Sequence, residues 1–159
     1  MSIDMSGDIM DRKFRDKFKL VVLYLLKEEP LHGYAIMKKF EEIFKAPKPS
    51  SGLVYPTLFR LKHLNFIETV GEGKREKKIY RLTREGMNFL NKHEKELEEI
   101  LKKLRIFAEI SELGGKEIKD SFSLLMETYD ELSEEQKKKI SEVMRKYAGE
   151  LRNIISGGE

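Results

Sequence analysis

The 159 residues include no cysteine, no tryptophan, three histidines and four prolines. Without cysteine there is no disulfide framework, no thiol nucleophile and no cysteine-ligated zinc or iron–sulfur site, so the interior must hold by packing alone. Long apolar runs are missing too. The longest, Leu20 to Leu26, has seven residues, whereas a membrane-spanning helix needs about 20. No charged-then-apolar signal segment opens the chain, and a soluble, cytoplasmic protein is expected. The length suffices for one ordinary core or two small ones.

The motifs of catalysis are likewise lacking. There is no Gly-x-x-x-x-Gly-Lys-Ser/Thr, no Gly-x-Ser-x-Gly and no His-Glu-x-x-His. Gly71-Glu72-Gly73 is a lone Gly-x-Gly without the third glycine or the strand-to-helix context of a dinucleotide site. His32, His63 and His93 lie about thirty positions apart, with no i, i+4 pair that could share a metal. Carboxylates are numerous, but they sit in helical charge runs such as Glu94 to Glu99, the pattern of solvated faces. The expectation is no enzyme, no cofactor and no metal.

What is present is charge, unevenly placed. The net charge is +3, yet residues 1–83 hold 17 Lys plus Arg against 11 Asp plus Glu, and residues 84–159 hold 14 against 17. Between Lys45 and Arg84 there are ten basic residues and three acids, Glu68, Glu72 and Glu76. Such a concentration suits an anionic partner.

Residues 1–11 show no sustained period and read as an irregular lead-in. Phe14, Phe18, Val21, Val22, Leu25 and Leu26 recur at helical spacing until Glu29-Pro30 stops the pattern. A second helix is predicted from Gly33 to Phe44, with Ile36, Phe40, Ile43 and Phe44 as its stripe. Pro47 to Gly52 makes a turn rich in breakers and potential caps. A third helix follows, with Val54, Leu58, Leu61 and Leu64 on one face. Because Pro56 lacks an amide hydrogen, this helix either starts around Leu53 to Tyr55 or bends there. Phe66–Val70 and Lys78–Leu82 are β-prone and flank a glycine turn with cations at its tip, which predicts a hairpin. Thr83 is placed to cap a fourth helix reaching about Ile110. Within it Leu90, His93, Leu97, Ile100, Leu104 and Phe107 form a heptad seam too short for an isolated coiled coil, so it should dock on something larger. Beyond Gly114-Gly115, Ile118 to Leu132 marks a fifth helix. Ser133 and Gln136 make a capping box opening a sixth, with Ile140, Val143, Met144, Tyr147, Leu151 and Ile154 on its stripe.

Three short helices followed by a glycine-tipped hairpin is the order of a winged helix-turn-helix, in which a helix enters the major groove and a cationic hairpin grips the flanking backbone. The fold class is mainly α with a small β-hairpin, the winged helix-turn-helix being followed by an α-helical dimerisation region. Ser50 and Ser51 at the amino end of the third helix suit phosphate. Tyr55, Thr57, Phe59, Arg60 and His63 point outward. Arg60 is the candidate for a guanine edge, since its fork bonds two acceptors at once. Lys74, Arg75, Lys77 and Lys78 of the hairpin suit phosphates, which position without specifying. Each feature alone has a plainer reading: a solvated turn, a surface arginine, Tyr55 packed on the second helix, His93 satisfied by a neighbour. Their joint order points to double-stranded DNA.

Leu31-His32-Gly33-Tyr34, Ser51-Gly52-Leu53-Val54-Tyr55-Pro56-Thr57-Leu58-Phe59-Arg60-Leu61 and Lys78-Ile79-Tyr80-Arg81-Leu82-Thr83-Arg84-Glu85-Gly86 resemble the PadR family of transcriptional regulators over about residues 14–110. Asn65 stands where such proteins usually carry glycine, and asparagine also tolerates the left-handed conformation. The resemblance implies a homodimeric winged-helix repressor, dimerised by carboxyl-terminal helices and often released from DNA by a small apolar or aromatic effector. Family members that sandwich flat drugs use a tryptophan that this chain lacks.

The seam of residues 90–107 and the stripe of residues 140–154 exceed the needs of an 83-residue DNA-binding unit, and two-fold dimers match palindromic operators. The expected division is a DNA-binding domain at 12–83 and a helical dimerisation region, with room for an effector, at 84–155. Two alternatives remain open: a winged-helix protein-interaction module without DNA binding, and a small-molecule sensor built on the carboxyl-terminal helices.

Overall fold

The computed structural model describes residues 12–73 and 77–158. They form α1 (Arg12–Leu26), β1 (Leu31–His32), α2 (Gly33–Phe44), α3 (Ser51–His63), β2 (Ile67–Gly73), β3 (Lys77–Leu82), α4 (Arg84–Lys92), α5 (Glu94–Ile110), a π-helical turn at Ser111–Gly115, α6 (Lys116–Thr128), a 3₁₀ turn at Tyr129–Glu131 and α7 (Glu134–Ile155). The chain divides into two compact units, the first ending at Lys116 and the second starting at Glu117. No described helix is long and apolar enough to cross a membrane.

In the first unit the apolar run Leu20–Leu26 becomes the central helix. Leu20, Val21, Val22, Leu23, Leu25 and Leu26 are all buried, because α1 is packed by α2, α3, α4, α5 and β3 rather than along one stripe. Each such side chain withdrawn from water contributes about 1.5–3 kcal/mol before entropy is charged. Phe14, Phe18, Phe40 and Phe44 join α1 to α2, with successive ring centroids 5.0–6.3 Å apart.

The hairpin β2–β3 has the expected place, and it belongs to a three-stranded antiparallel sheet of order β1-β3-β2. Leu31 pairs with Tyr80 and His32 with Ile79, a strand of two residues too short to show alternation in sequence. On the other side Thr69 faces Tyr80 and Gly71 faces Ile79. Val70 is therefore the extra residue of a bulge, a device that increases local twist.

The seam predicted for a dimer is turned inward. Leu90, Leu97, Ile100 and Leu104 are buried in the core of the first unit, where α4 and α5 pack on α1. α4 and α5 thus share the core of the helix-turn-helix. The single helix expected from Thr83 to Ile110 is also interrupted. His93 leaves helical geometry at φ −109°, ψ 25°, its ring centroid 4.1 Å from that of Phe89, which in turn stacks on Phe66 at 4.4 Å. His93 Nδ1 lies 2.8 Å from the Phe89 carbonyl oxygen.

In the second unit Ser133 and Gln136 form the expected capping box. Ser133 Oγ accepts from the Gln136 amide at 3.2 Å, and Gln136 Oε1 accepts from the Ser133 amide at 2.8 Å. None of the residues of α6 or α7 is buried.

Gly86 in α4 explains how close the elements of the first unit come. A Cβ there would stand 2.0 Å from the Phe66 carbonyl oxygen, whereas one at Gly149 in α7 would meet nothing within 4 Å. Gly86→Ala should therefore cost roughly 1–3 kcal/mol or more, and Gly149→Ala should gain up to about 1 kcal/mol from helix propensity. Thermal and denaturant melts of both variants check this; a Gly86→Ala chain as stable as the wild type would mean the backbone approach is looser.

Candidate nucleic-acid interface

α3 is laid on the core by Val54, Leu58 and Leu61, all buried. At about 100° per residue, Gly52, Pro56, Phe59 and His63 fall on the opposite side, flanked by Tyr55 and Arg60. All six are exposed. Of the two expectations, a start around Leu53 to Tyr55 or a bend there, the first does not hold: the helix starts at Ser51 and carries Pro56 inside it. The proline removes the bond its amide would give to the Gly52 carbonyl; Gly52 is exposed, so water can satisfy that oxygen.

Both ends of α3 are fixed by local chemistry. At its carboxyl end the Phe66 amide donates to the Leu61 carbonyl and the Asn65 amide to the Lys62 carbonyl, each at 3.0 Å. This is the Schellman pattern, and Asn65 takes the left-handed φ of 58° that it requires. At its amino end Ser50 is the N-cap residue in extended geometry, and its hydroxyl makes no capping bond. Ser50 and Ser51 are exposed.

The sequence blocks around α3 meet one another. His32 caps α2, its Nδ1 accepting from the Ala35 amide at 3.1 Å. The adjoining Gly33 is buried beneath Tyr55, whose Cε1 would be 2.6 Å from a Cβ at that position. Tyr55 thus packs on the second helix and remains 47% exposed. Burial, and then the phenol of Tyr55, hold the Tyr80 hydroxyl above its ordinary pKa. Thr83 ties three segments together. Its hydroxyl donates to the Asn65 carbonyl at 2.6 Å and accepts from the Gly86 amide at 3.0 Å, while its amide donates to the Phe66 carbonyl at 3.0 Å.

The remaining predicted residues fall out as follows. Thr57 is only half-exposed and its hydroxyl donates to the Leu53 carbonyl at 2.7 Å, so it is turned back on its own helix. Arg60 is exposed and has no ion pair among the described residues. Lys77 opens β3, Lys78 is exposed on it, and Lys74 and Arg75 lie outside the described residues. Arg81 is bound to Glu68 through both Nε and Nη2, which removes one cation from the surplus for at most about 1 kcal/mol at this exposure. Sequence reasoning passed over Lys48, whose Nζ stands 4.4 Å from the centre of the Tyr34 ring, just ahead of α3. The signal available was its place in the proline-flanked turn. Of the seam residues, Phe107 lines a cavity of about 310 Å³ with Phe14, Ile100, Leu104 and Ile110, and His93 is half-buried. Among the described residues no cluster of three or more metal-ligating side chains is found.

Residues 22–92 match the sequence model of the Transcriptional regulator PadR-like family. The match covers less than half of the chain. The PadR-like region spans the turn, α3, the wing and the Thr83–Gly86 lock. The chain is 31% identical over 90 residues to the transcriptional regulator YqjI of Escherichia coli strain K12, a match covering 56% of this chain and 43% of that protein. It thus spans less than half the length of that curated relative. A transcriptional regulator from Clostridium thermocellum has the same fold, with 24% identity and a TM-score of 0.51 over 61% of this chain and 98% of the other. A PadR family transcription regulator from Clostridium difficile R20291 is 25% identical, with a TM-score of 0.46 over 57% and 97%.

Because the three atoms nearest to a Cβ at Gly33 all belong to the Tyr55 side chain, the two positions should be energetically coupled. Gly33→Ala should cost roughly 1–3 kcal/mol in the wild-type background and much less in a Tyr55→Ala background. Additive penalties in chemical denaturation would show that the ring is not what Gly33 accommodates.

Proposed function

We propose that the chain is a homodimeric DNA-binding repressor of the cytoplasm that recognises a palindromic operator, with no catalytic role. The observation that carries the reading is the outward face of α3: exposed along its length, without an ion pair at Arg60 among the described residues, and opened at its amino end by two exposed serines, of which the N-cap Ser50 makes no capping bond. In this reading Arg60 bonds a guanine edge in the major groove, and His63 and Tyr55 border the same face. Ser50, Ser51 and the first amides of α3 take phosphate. Lys74, Arg75, Lys77 and Lys78 hold the backbone beside the wing, and Lys48 adds a further cation. Thr57 contributes through its methyl group and position rather than a free hydroxyl.

The second copy is assigned to the carboxyl-terminal unit. Val143, Met144, Tyr147, Leu151 and Ile154 of α7 are exposed apolar side chains at helical spacing, a patch of the kind that marks an interface. Of the six seam positions, Phe107 packs against the core but stays half-buried and keeps surface for an interface or ligand, whereas Leu90, Leu97, Ile100 and Leu104 serve the protomer core and the His93 ring packs on Phe89. A small apolar effector would fit the cavity lined by Phe14, Ile100, Leu104 and Phe107, whose volume is at the lower end of ligand pockets.

Selection of bound sequences from random duplexes, followed by titration, tests the reading. With about 6–10 phosphates neutralised per dimer, affinity should fall by roughly 10³–10⁵ between about 50 and 200 mM salt. Arg60→Ala should cost about 1–3 kcal/mol on the selected site and relax its sequence, whereas Lys78→Ala should weaken all duplexes alike. Salt-insensitive binding, or equal losses for both variants on selected and random DNA, would contradict it. Sedimentation should find the wild type dimeric and Val143→Glu/Ile154→Glu monomeric with its first unit still folded; a monomeric wild type would remove the dimer.

A further inference from the structure

Phosphate contacts and a guanine-reading arginine leave the exposed phenylalanine of α3 without a role. Phe59 is 77% exposed, the highest value among the exposed aromatic residues. The other eight of the chain's nine phenylalanines are all buried or half-buried. No ring or cation contact joins it to any described residue. Its place is not peripheral. It lies about 140° around the helix from the buried Val54, one turn beyond Tyr55 and Pro56, one turn before His63, and next to Arg60. The outward positions one and two turns earlier are Pro56 and Gly52, whose small or flat side chains let that end of the helix approach a surface closely.

We infer that Phe59 determines specificity by packing on the C5-methyl group of a thymine in each operator half-site. The inference rests on the DNA-binding reading above. A phenyl ring has no donor or acceptor, so it can only discriminate through apolar contact and through desolvating polar edges. In the major groove the thymine methyl is the base's apolar group, whereas cytosine presents a bare ring edge and an amino donor that a phenyl ring would leave unsatisfied. The neighbouring guanidinium of Arg60 takes the hydrogen-bonding edge, and Phe59 takes the methyl beside it.

The experiment uses the full chain and the duplex selected from random sequence by the wild type. One thymine per half-site is expected to be strongly preferred by the wild type and not by Phe59→Ala. Replacing that thymine with deoxyuridine keeps the base pairing and deletes only the methyl group. Wild-type affinity should then fall about fourfold per half-site, the worth of one buried methyl, and about fifteenfold when both are replaced. Phe59→Ala should bind the thymine and uracil duplexes equally, and Phe59→Leu should keep part of the difference. A selected duplex whose uracil form binds the wild type as tightly as the thymine form, or costs Phe59→Ala the same factor, overturns the role of Phe59 and leaves DNA binding standing. If no duplex is enriched or shifted even at low salt, both readings fall, and Phe59 becomes a contact for a protein partner.

Discussion

The placement of α3 depends on how tightly backbone meets backbone between the end of that helix and the start of α4. The Phe66 carbonyl oxygen sits where a side chain at residue 86 would be, and it also receives the Thr83 amide. Thr83 then satisfies the Asn65 carbonyl and the Gly86 amide with one hydroxyl. A cap of this kind contributes about 1 kcal/mol in isolation. Here it does more than cap, because it sets the end of the third helix, the base of the wing and the entry to α4 in a single geometry. If residue 86 moved outward, β3 and the carboxyl end of α3 would have to move with it.

A second contact, Tyr55 over Gly33, sets the other end. It lets the first strand and the cap of α2 sit under α3 without covering the outward face, so the ring is used for packing while Gly52, Pro56, Phe59, Arg60 and His63 stay clear. The three sequence blocks that resemble the PadR family are thus mostly the residues that hold α3 in place. The outward residues Gly52, Pro56, Phe59 and Arg60 belong to the second of those blocks, and His63 follows it.

Much of this was legible because its causes are local. Helical spacing located α1, α2 and α3, Gly71 and Gly73 marked the hairpin, and Thr83, Ser133 and Asn65 act where their side chains or φ preferences put them. What was illegible has non-local causes. Two residues of β1 carry no period. The break at His93 has no glycine or proline to announce it; it accompanies the packing of the His93 ring on Phe89, which in turn stacks on Phe66, a residue brought there only by folding. The heptad seam shows that one face of α5 is apolar but not what covers it, and the cover turned out to be α1 of the same chain. In the candidate interface, the outward face of α3 could be read from spacing. The turned-back hydroxyl of Thr57 and the pairing of Arg81 with Glu68 could not.

Amide hydrogen exchange of the full chain, with and without its selected duplex, bears most directly on the claim that α3 and the wing form the DNA-binding surface. Exchange should slow at the opening amides of α3, at Ser51 and Gly52, and along β2 and β3, while α6 and α7 keep their free rates. Slowing confined to the carboxyl-terminal helices, with residues 50–82 unchanged, would contradict the account.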